Sequence, residues 1–217
     1  MIIENNNINI KISKLAVLTS GGDAPGMNAA IRSVARSCSH YGIQCFGVSR
    51  GYQGLIEGKI KPLGTRSVKN ILNKGGTILK SARSKEFMTK EGRLKAYETL
   101  KNQEINNLVV IGGDGSFTGG YIFEKEFGVS VVGIPGTIDN DIFGTDSTVG
   151  YDTALNTVVE AIDKIRDTAI SHNRLFFVEV MGKDAGHIAL NTGIGIGASE
   201  ILIPEKDKGL DLSLIHI

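Results

Sequence analysis

Leu108-Val109-Val110-Ile111 runs directly into Gly112-Gly113-Asp114-Gly115-Ser116. A short β-branched apolar run bounded by glycine reads as a buried strand ending in a tight turn. The same grammar occurs twice more. Leu15-Ala16-Val17-Leu18 leads to Ser20-Gly21-Gly22-Asp23-Ala24-Pro25-Gly26, and Ser130 to Ile134 leads to Pro135-Gly136-Thr137-Ile138-Asp139-Asn140-Asp141. In a parallel sheet such turns line up along the carboxyl ends of the strands, where open α/β folds bind ligands. One glycine turn after a strand is usually only a turn; three in series point to phosphate, because absent side chains admit phosphate oxygens to backbone N–H groups.

Working outward, further strands are expected at Gln44 to Val48, Leu175 to Val180 and Ile201 to Ile203. Met27, Ala30, Ile31, Val34, Ala35 and Cys38 form one apolar stripe of a helix, with Arg32 and Arg36 on another face. A helix of about twenty residues starts near Tyr151, with Leu155, Val158, Val159, Ile162 and Ile165 as its buried face. Strands alternating with helices predict an α/β fold, a three-layer αβα sandwich with a mainly parallel sheet. The boundaries are residues 1–13 as a disordered extension, 14–149 as a first lobe and 150–217 as a second, which places the acidic loop at the mouth of an interdomain cleft.

Composition narrows the function classes. With 41% hydrophobic residues, 22% charged, Gly 28 and Pro 4, the 217-residue chain has the makeup of an ordinary globular protein rich in glycine loops. A net charge of +1 argues against a generic nucleic-acid or membrane binder. Cys38 and Cys45 lack metal-ligand spacing and read as reduced structural thiols of a cytoplasmic protein.

The chemistry-bearing residues cluster in those loops. Asp114, flanked by glycines, is placed to face phosphates and hold Mg²⁺; the competing reading is an N-cap of the next helix. Asp139 and Asp141, at i and i+2, share a side-chain direction if extended, so that one accepts a proton and the other orients metal or substrate. The alternative there is a solvated acidic turn. Neither the P-loop nor the Gly-x-Gly-x-x-Gly fingerprint is present.

Ser20 to Asn28, Gly112 to Ser116, Pro135 to Asp141 and Val178-Glu179-Val180-Met181-Gly182 together resemble the bacterial-type ATP-dependent 6-phosphofructokinases, in order and interval. The resemblance covers Lys14 to about Glu205. It implies two Rossmann-like lobes, the second incomplete, since family members are longer and this chain reads as C-terminally truncated. It further implies a glycolytic kinase that phosphorylates fructose 6-phosphate from ATP with Mg²⁺, usually as an allosteric homotetramer. On the family pattern Asp139 is the general base with Asp141 beside it, and Thr137 and Arg83 complete the catalytic set, Arg83 reaching the transferred phosphoryl group. Gly22, Tyr52, Arg83, Gly113, Asp114, Gly115, Ser116 and Gly119 hold ATP, with Asp114 the metal residue. Thr137, Ile138, Asp139, Arg174, Met181, Gly182 and Lys183 hold the sugar phosphate, Arg174 from the neighbouring subunit. Arg32, Arg36 and Arg166 match effector positions, whereas Thr65, Asn70 and Ser199 depart from that site. Lys183 stands where the family commonly has Arg, keeping the charge but not the bidentate fork. Pyrophosphate-using members usually carry Asp in place of Gly115 and Lys in place of Gly136, so Gly at both implies the ATP form; the alternatives are the pyrophosphate-dependent enzyme and a noncatalytic nucleotide-binding fragment.

Overall fold

The computed structural model describes residues 12–206 and the backbone of 214–216. The expected disordered extension therefore falls mostly outside the described residues. In chain order the elements are β1 (Lys14–Thr19), α1 (Met27–His40), β2 (Gln44–Val48), α2 (Gly51–Ile56), β3 (Ile60–Pro62), a 3-10 turn (Glu86–Met88), α3 (Lys90–Asn102), β4 (Asn107–Gly112), α4 (Asp114–Phe127), β5 (Ser130–Thr137), β6 (Val149–Gly150), α5 (Tyr151–Ser171), β7 (Phe177–Glu179), α6 (His187–Ile196), β8 (Glu200–Leu202) and β9 (Leu214–His216).

Six strands form the main sheet in the order β3-β2-β1-β4-β5-β6, all pairs parallel except β2 with β3. Alternation along the central strands sorts side chains to two faces. Ala16 and Leu18 of β1 and Leu108 and Val110 of β4 enter one cluster with Tyr52, Leu55, Ala96, Leu100 and Phe123 from α2, α3 and α4. Val17, Val109 and Ile111 enter the other, with Met27, Ile31, Ala35 and Cys38 from α1. The three-layer αβα expectation follows from this sorting. Cys38 and Cys45 are both free and buried, and burial together with the neighbouring Cys38 pushes the Cys45 thiol up to about 12.

The later strands depart from a mainly parallel arrangement. β7 and β8 are not neighbours; each pairs antiparallel with β9 in a separate small sheet. Among the described residues the cluster between α5 and α6 is small, with Ile162, Ala189, Ile196 and Ile203 as its buried members. Of the apolar face foreseen for α5, Ile162 alone is fully buried, while Leu155, Val158, Val159 and Ile165 are half-buried. Gly150 joins the two regions: at φ 111° it precedes α5, and a Cβ there would meet Ala24 Cβ and Pro25 O at 2.9 Å.

One part of the core is aromatic, with Phe123 completely buried and its ring 5.5 Å from both Phe87 and Phe127. Phe123→Ala is expected to lower unfolding free energy by about 3–5 kcal/mol, measured by urea denaturation.

Candidate active site

The parallel ladder of β4 and β5 places Gly112 opposite Pro135. The turn that opens α4 therefore lies beside the turn that carries the carboxylates; a Cβ on Gly113 would sit 3.9 Å from the Thr137 side chain. Gly113 is the N-cap of α4, Asp114 its first residue, and no side chain caps the helix. That removes the reading of Asp114 as a cap and leaves the positive end of α4 to a ligand. Asp114 and Gly115 are exposed, whereas Ser116 is buried. Glycine is required at 112, since a Cβ would stand 2.5 Å from Ser20 O and 2.8 Å from Ser116 Oγ. The two phosphate-type loops thus touch through Ser116, with Ser20 N donating to Ile111 O at 2.9 Å.

A third segment is sewn to the same edge. Thr19 Oγ1 donates to Lys80 O (2.9 Å), Ser81 Oγ donates to Gly21 O (2.6 Å), and Asp23 Oδ1 accepts from Thr77 N (2.9 Å). The buried Asn28 amide donates to Lys74 O and Gly76 O while its oxygen accepts from Ile78 N. These bonds deliver the exposed Arg83 to the site. Neither Thr19 nor Asn28 was foreseen as an organiser. The signal for Asn28 lies in the pattern: it falls on the buried stripe of α1 with Ile31, Ala35 and Cys38, where a polar side chain demands partners.

The carboxylate turn differs from its expected shape. β5 ends at Thr137, and Asn140 adopts a left-handed φ of 53°, so Asp139 and Asp141 are neighbours across a turn rather than along an extended strand. Thr137 Oγ1 accepts from Asp139 N (3.2 Å), Thr148 Oγ1 donates to Thr137 O (2.6 Å), and Asn140 Oδ1 accepts from Thr148 N (2.8 Å). A folded, internally bonded turn also weakens the reading of a merely solvated acidic loop. Burial, and then the charge of Asp141, hold the Asp139 carboxyl above the ordinary aspartate range, with Lys183 pulling it back. Lys183, at φ 53°, pairs with Asp184 at 2.6 Å and also feels Arg83 and Asp141. Lys183 thus lies within electrostatic reach of both carboxylates, and Arg83 within reach of Lys183.

The remaining expected residues are spread more widely. Tyr52 is buried beneath α4, its hydroxyl bonded to Ser116 O, and Gly119 packs over its ring. Gly22 lies exposed in the first loop. Ile138 turns its side chain into the apolar cluster, leaving its backbone to the turn. Met181 is exposed and Gly182 buried beside Lys183, while Arg174 is exposed just beyond α5. Arg32 and Arg36 lie on α1, but the Arg166 guanidinium donates to Ile196 O at the end of α6. Among the described residues no group of three or more His, Cys, Asp or Glu side chains could cage a metal. Asp114, exposed in the first turn of α4, offers a single carboxylate beside the glycine loop.

Comparison with known proteins gives the family. The ATP-dependent 6-phosphofructokinase 2 of Bacteroides thetaiotaomicron is 59% identical over 91% of this chain and 60% of its own length. The ATP-dependent 6-phosphofructokinase 1 of Thermus thermophilus is 57% identical over 90% of this chain and 61% of its own length. The chain therefore spans about three fifths of these curated relatives. The solved phosphofructokinase of Saccharomyces cerevisiae superposes with a TM-score of 0.87 at 44% identity, covering 89% of this chain and 29% of that one. The profile of the family described as phosphofructokinase matches residues 14–216, beyond Glu205 where the sequence likeness was expected to fade, and this chain belongs to that family.

Proposed function

We propose that this chain carries the nucleotide lobe (14–149) and the first part of the sugar-phosphate lobe (150–217) of an ATP-dependent 6-phosphofructokinase. The observation that carries the reading is the Gly112–Pro135 pairing, which sets a helix-N-terminal phosphate loop beside the Asp139 turn. Asp139 accepts the proton of the 1-hydroxyl of fructose 6-phosphate as that oxygen attacks the γ-phosphorus of ATP. The bond to the β–γ bridging oxygen breaks, and ADP leaves. A carboxyl held above its ordinary range is better matched to a base working near neutrality. Gly113, Gly115, Ser116 and Gly22 cradle the phosphates; Arg83 and Lys183 offset the charge that spreads over the transferred group. Mg²⁺, when bound with ATP through Asp114, neutralises phosphate charge. Arg174 serves a neighbouring subunit in a homotetramer, and Arg32 and Arg36 remain for an effector anion. The protein works in the cytoplasm; among the described residues no helix is long and apolar enough to cross a membrane.

ATP is favoured over pyrophosphate as donor by local space. A Cβ on Gly115 would meet nothing within 4 Å, so the room above this loop is open to a nucleotide. At Gly136 a Cβ would stand 3.0 Å from Ile111 and 3.2 Å from Met27, which leaves no comfortable place for a lysine. The relatives named as ATP-dependent point the same way.

Titration calorimetry is expected to show Mg·ATP binding to this chain and far weaker binding of Mg·pyrophosphate; the reverse preference would sink the assignment of donor. Gly115→Asp should abolish ATP binding while leaving thermal melting close to wild type, because the added carboxylate enters open space. In the chain extended by the rest of the family's length, Asp139→Asn should lower turnover at least about 100-fold. The same substitution should stabilise the fold at neutral pH. With the folded pKa raised, wild type loses stability relative to the Asn variant as pH climbs from 3.8 through the raised value. Urea unfolding across that window measures it.

A further inference from the structure

α2 touches both of the segments that flank the transferred phosphoryl group in the function proposed above. Tyr52 is 5% exposed and donates its hydroxyl to Ser116 O at 2.7 Å. The next residue, Gln53, accepts at Oε1 from Ser84 Oγ at 2.7 Å, and Ser84 Oγ in turn accepts from Phe87 N at 3.1 Å. Ser84 adjoins Arg83. The Tyr52 ring stacks on Phe87 with centroids 3.9 Å apart and planes 14° apart. Space for this approach is made on α4 by glycine: a Cβ on Gly120 would stand 3.2 Å from the Tyr52 hydroxyl, and one on Gly119 3.6 Å from its ring.

Inside a helix a carbonyl has one ordinary partner, the N–H four residues on, and a second lone pair to spare. Tyr52 takes that second position at Ser116, in the first turn of α4. On its other side Ser116 Oγ would stand 2.8 Å from a Cβ on Gly112 and 3.5 Å from one on Gly21. One residue therefore receives the hydroxyl from beneath and both glycine loops from above. The ring alone would fill the same volume as phenylalanine, so packing accounts for the aromatic group but not for the hydroxyl.

We propose that Tyr52 is a positioning residue for the nucleotide: its hydroxyl locks the first turn of α4, and with it the phosphate loop, in register with the Arg83 segment. The inference rests on the reading of this site as the Mg·ATP site. It concerns a contact made through Ser116, with no direct contact to the reacting atoms.

The test is Tyr52→Phe in this chain, which keeps the ring stack and removes only the donor. Two readouts are taken: Mg·ATP affinity by titration calorimetry, and amide hydrogen exchange. The expected result is a three- to tenfold loss of affinity, about what one hydrogen bond supplies, with faster exchange at residues 113–117 and unchanged exchange along α1. Wild-type affinity together with wild-type exchange at 113–117 overturns the proposal. Uniformly faster exchange throughout the lobe would also overturn it, since that marks a general loss of stability. If the unsubstituted chain binds no Mg·ATP, the functional reading fails, and the exchange comparison at 113–117 still decides whether Tyr52 holds the turn.

Discussion

Parallel pairing of β1, β4 and β5 is the constraint on which the rest of the site depends. Parallel strands deliver their carboxyl ends to one edge, so the turns after Thr19, Gly112 and Thr137 emerge side by side although they are far apart in sequence. Two of these turns carry glycines that let backbone approach backbone. The third carries carboxylates. No local feature of any single loop would produce the site without this shared edge, and a slip of one residue between β4 and β5 would turn the apolar faces of both strands the wrong way.

Charge is then arranged against that edge. Asp139 is half-buried and Asp141 exposed, so the pair is unequal, and the more buried carboxyl is the one pushed upward. Lys183 reaches the same space from the β7–α6 connection while held by Asp184. Both partners of that pair are more than four fifths exposed, and exposed pairs are worth about 0–1 kcal/mol. The Lys183 ammonium is therefore only lightly committed to Asp184.

The two regions are built to different depths. The first has apolar clusters on both faces of its sheet, and an ion pair between Arg93 and Glu126 (2.6 Å) beside the aromatic stack. The second has, among the described residues, one small apolar cluster around Ile162, Ala189, Ile196 and Ile203, and its surface carries Ile170 at 75%, Met181 at 70% and Phe177 at 64% exposure. Apolar area left in water contributes nothing to stability, so the first region supplies most of the hydrophobic free energy of folding.

Much of the fold was legible because its signals are local. β-Branched runs, a 3.6-residue stripe from Met27 to Cys38 and glycine turns depend only on nearest neighbours along the chain, and they located β1, β2, β4, β5, α1 and α5 to within a few residues. The glycine turns and the two carboxylates were legible for the same reason. What only the tertiary structure decided are features that need partners distant in sequence: the left-handed turn at Asn140, the antiparallel β7-β9-β8 sheet, the Asn28 bonds to residues 74–78, and the hydroxyl of Tyr52 beneath Ser116. A side chain's hydrogen-bond partner depends on what packing brings within about 3 Å. The amino-acid sequence by itself determined which glycine turns and carboxylates follow the strands, because those signals are local; the packing of α2, α4 and the parallel strands decided which of them meet.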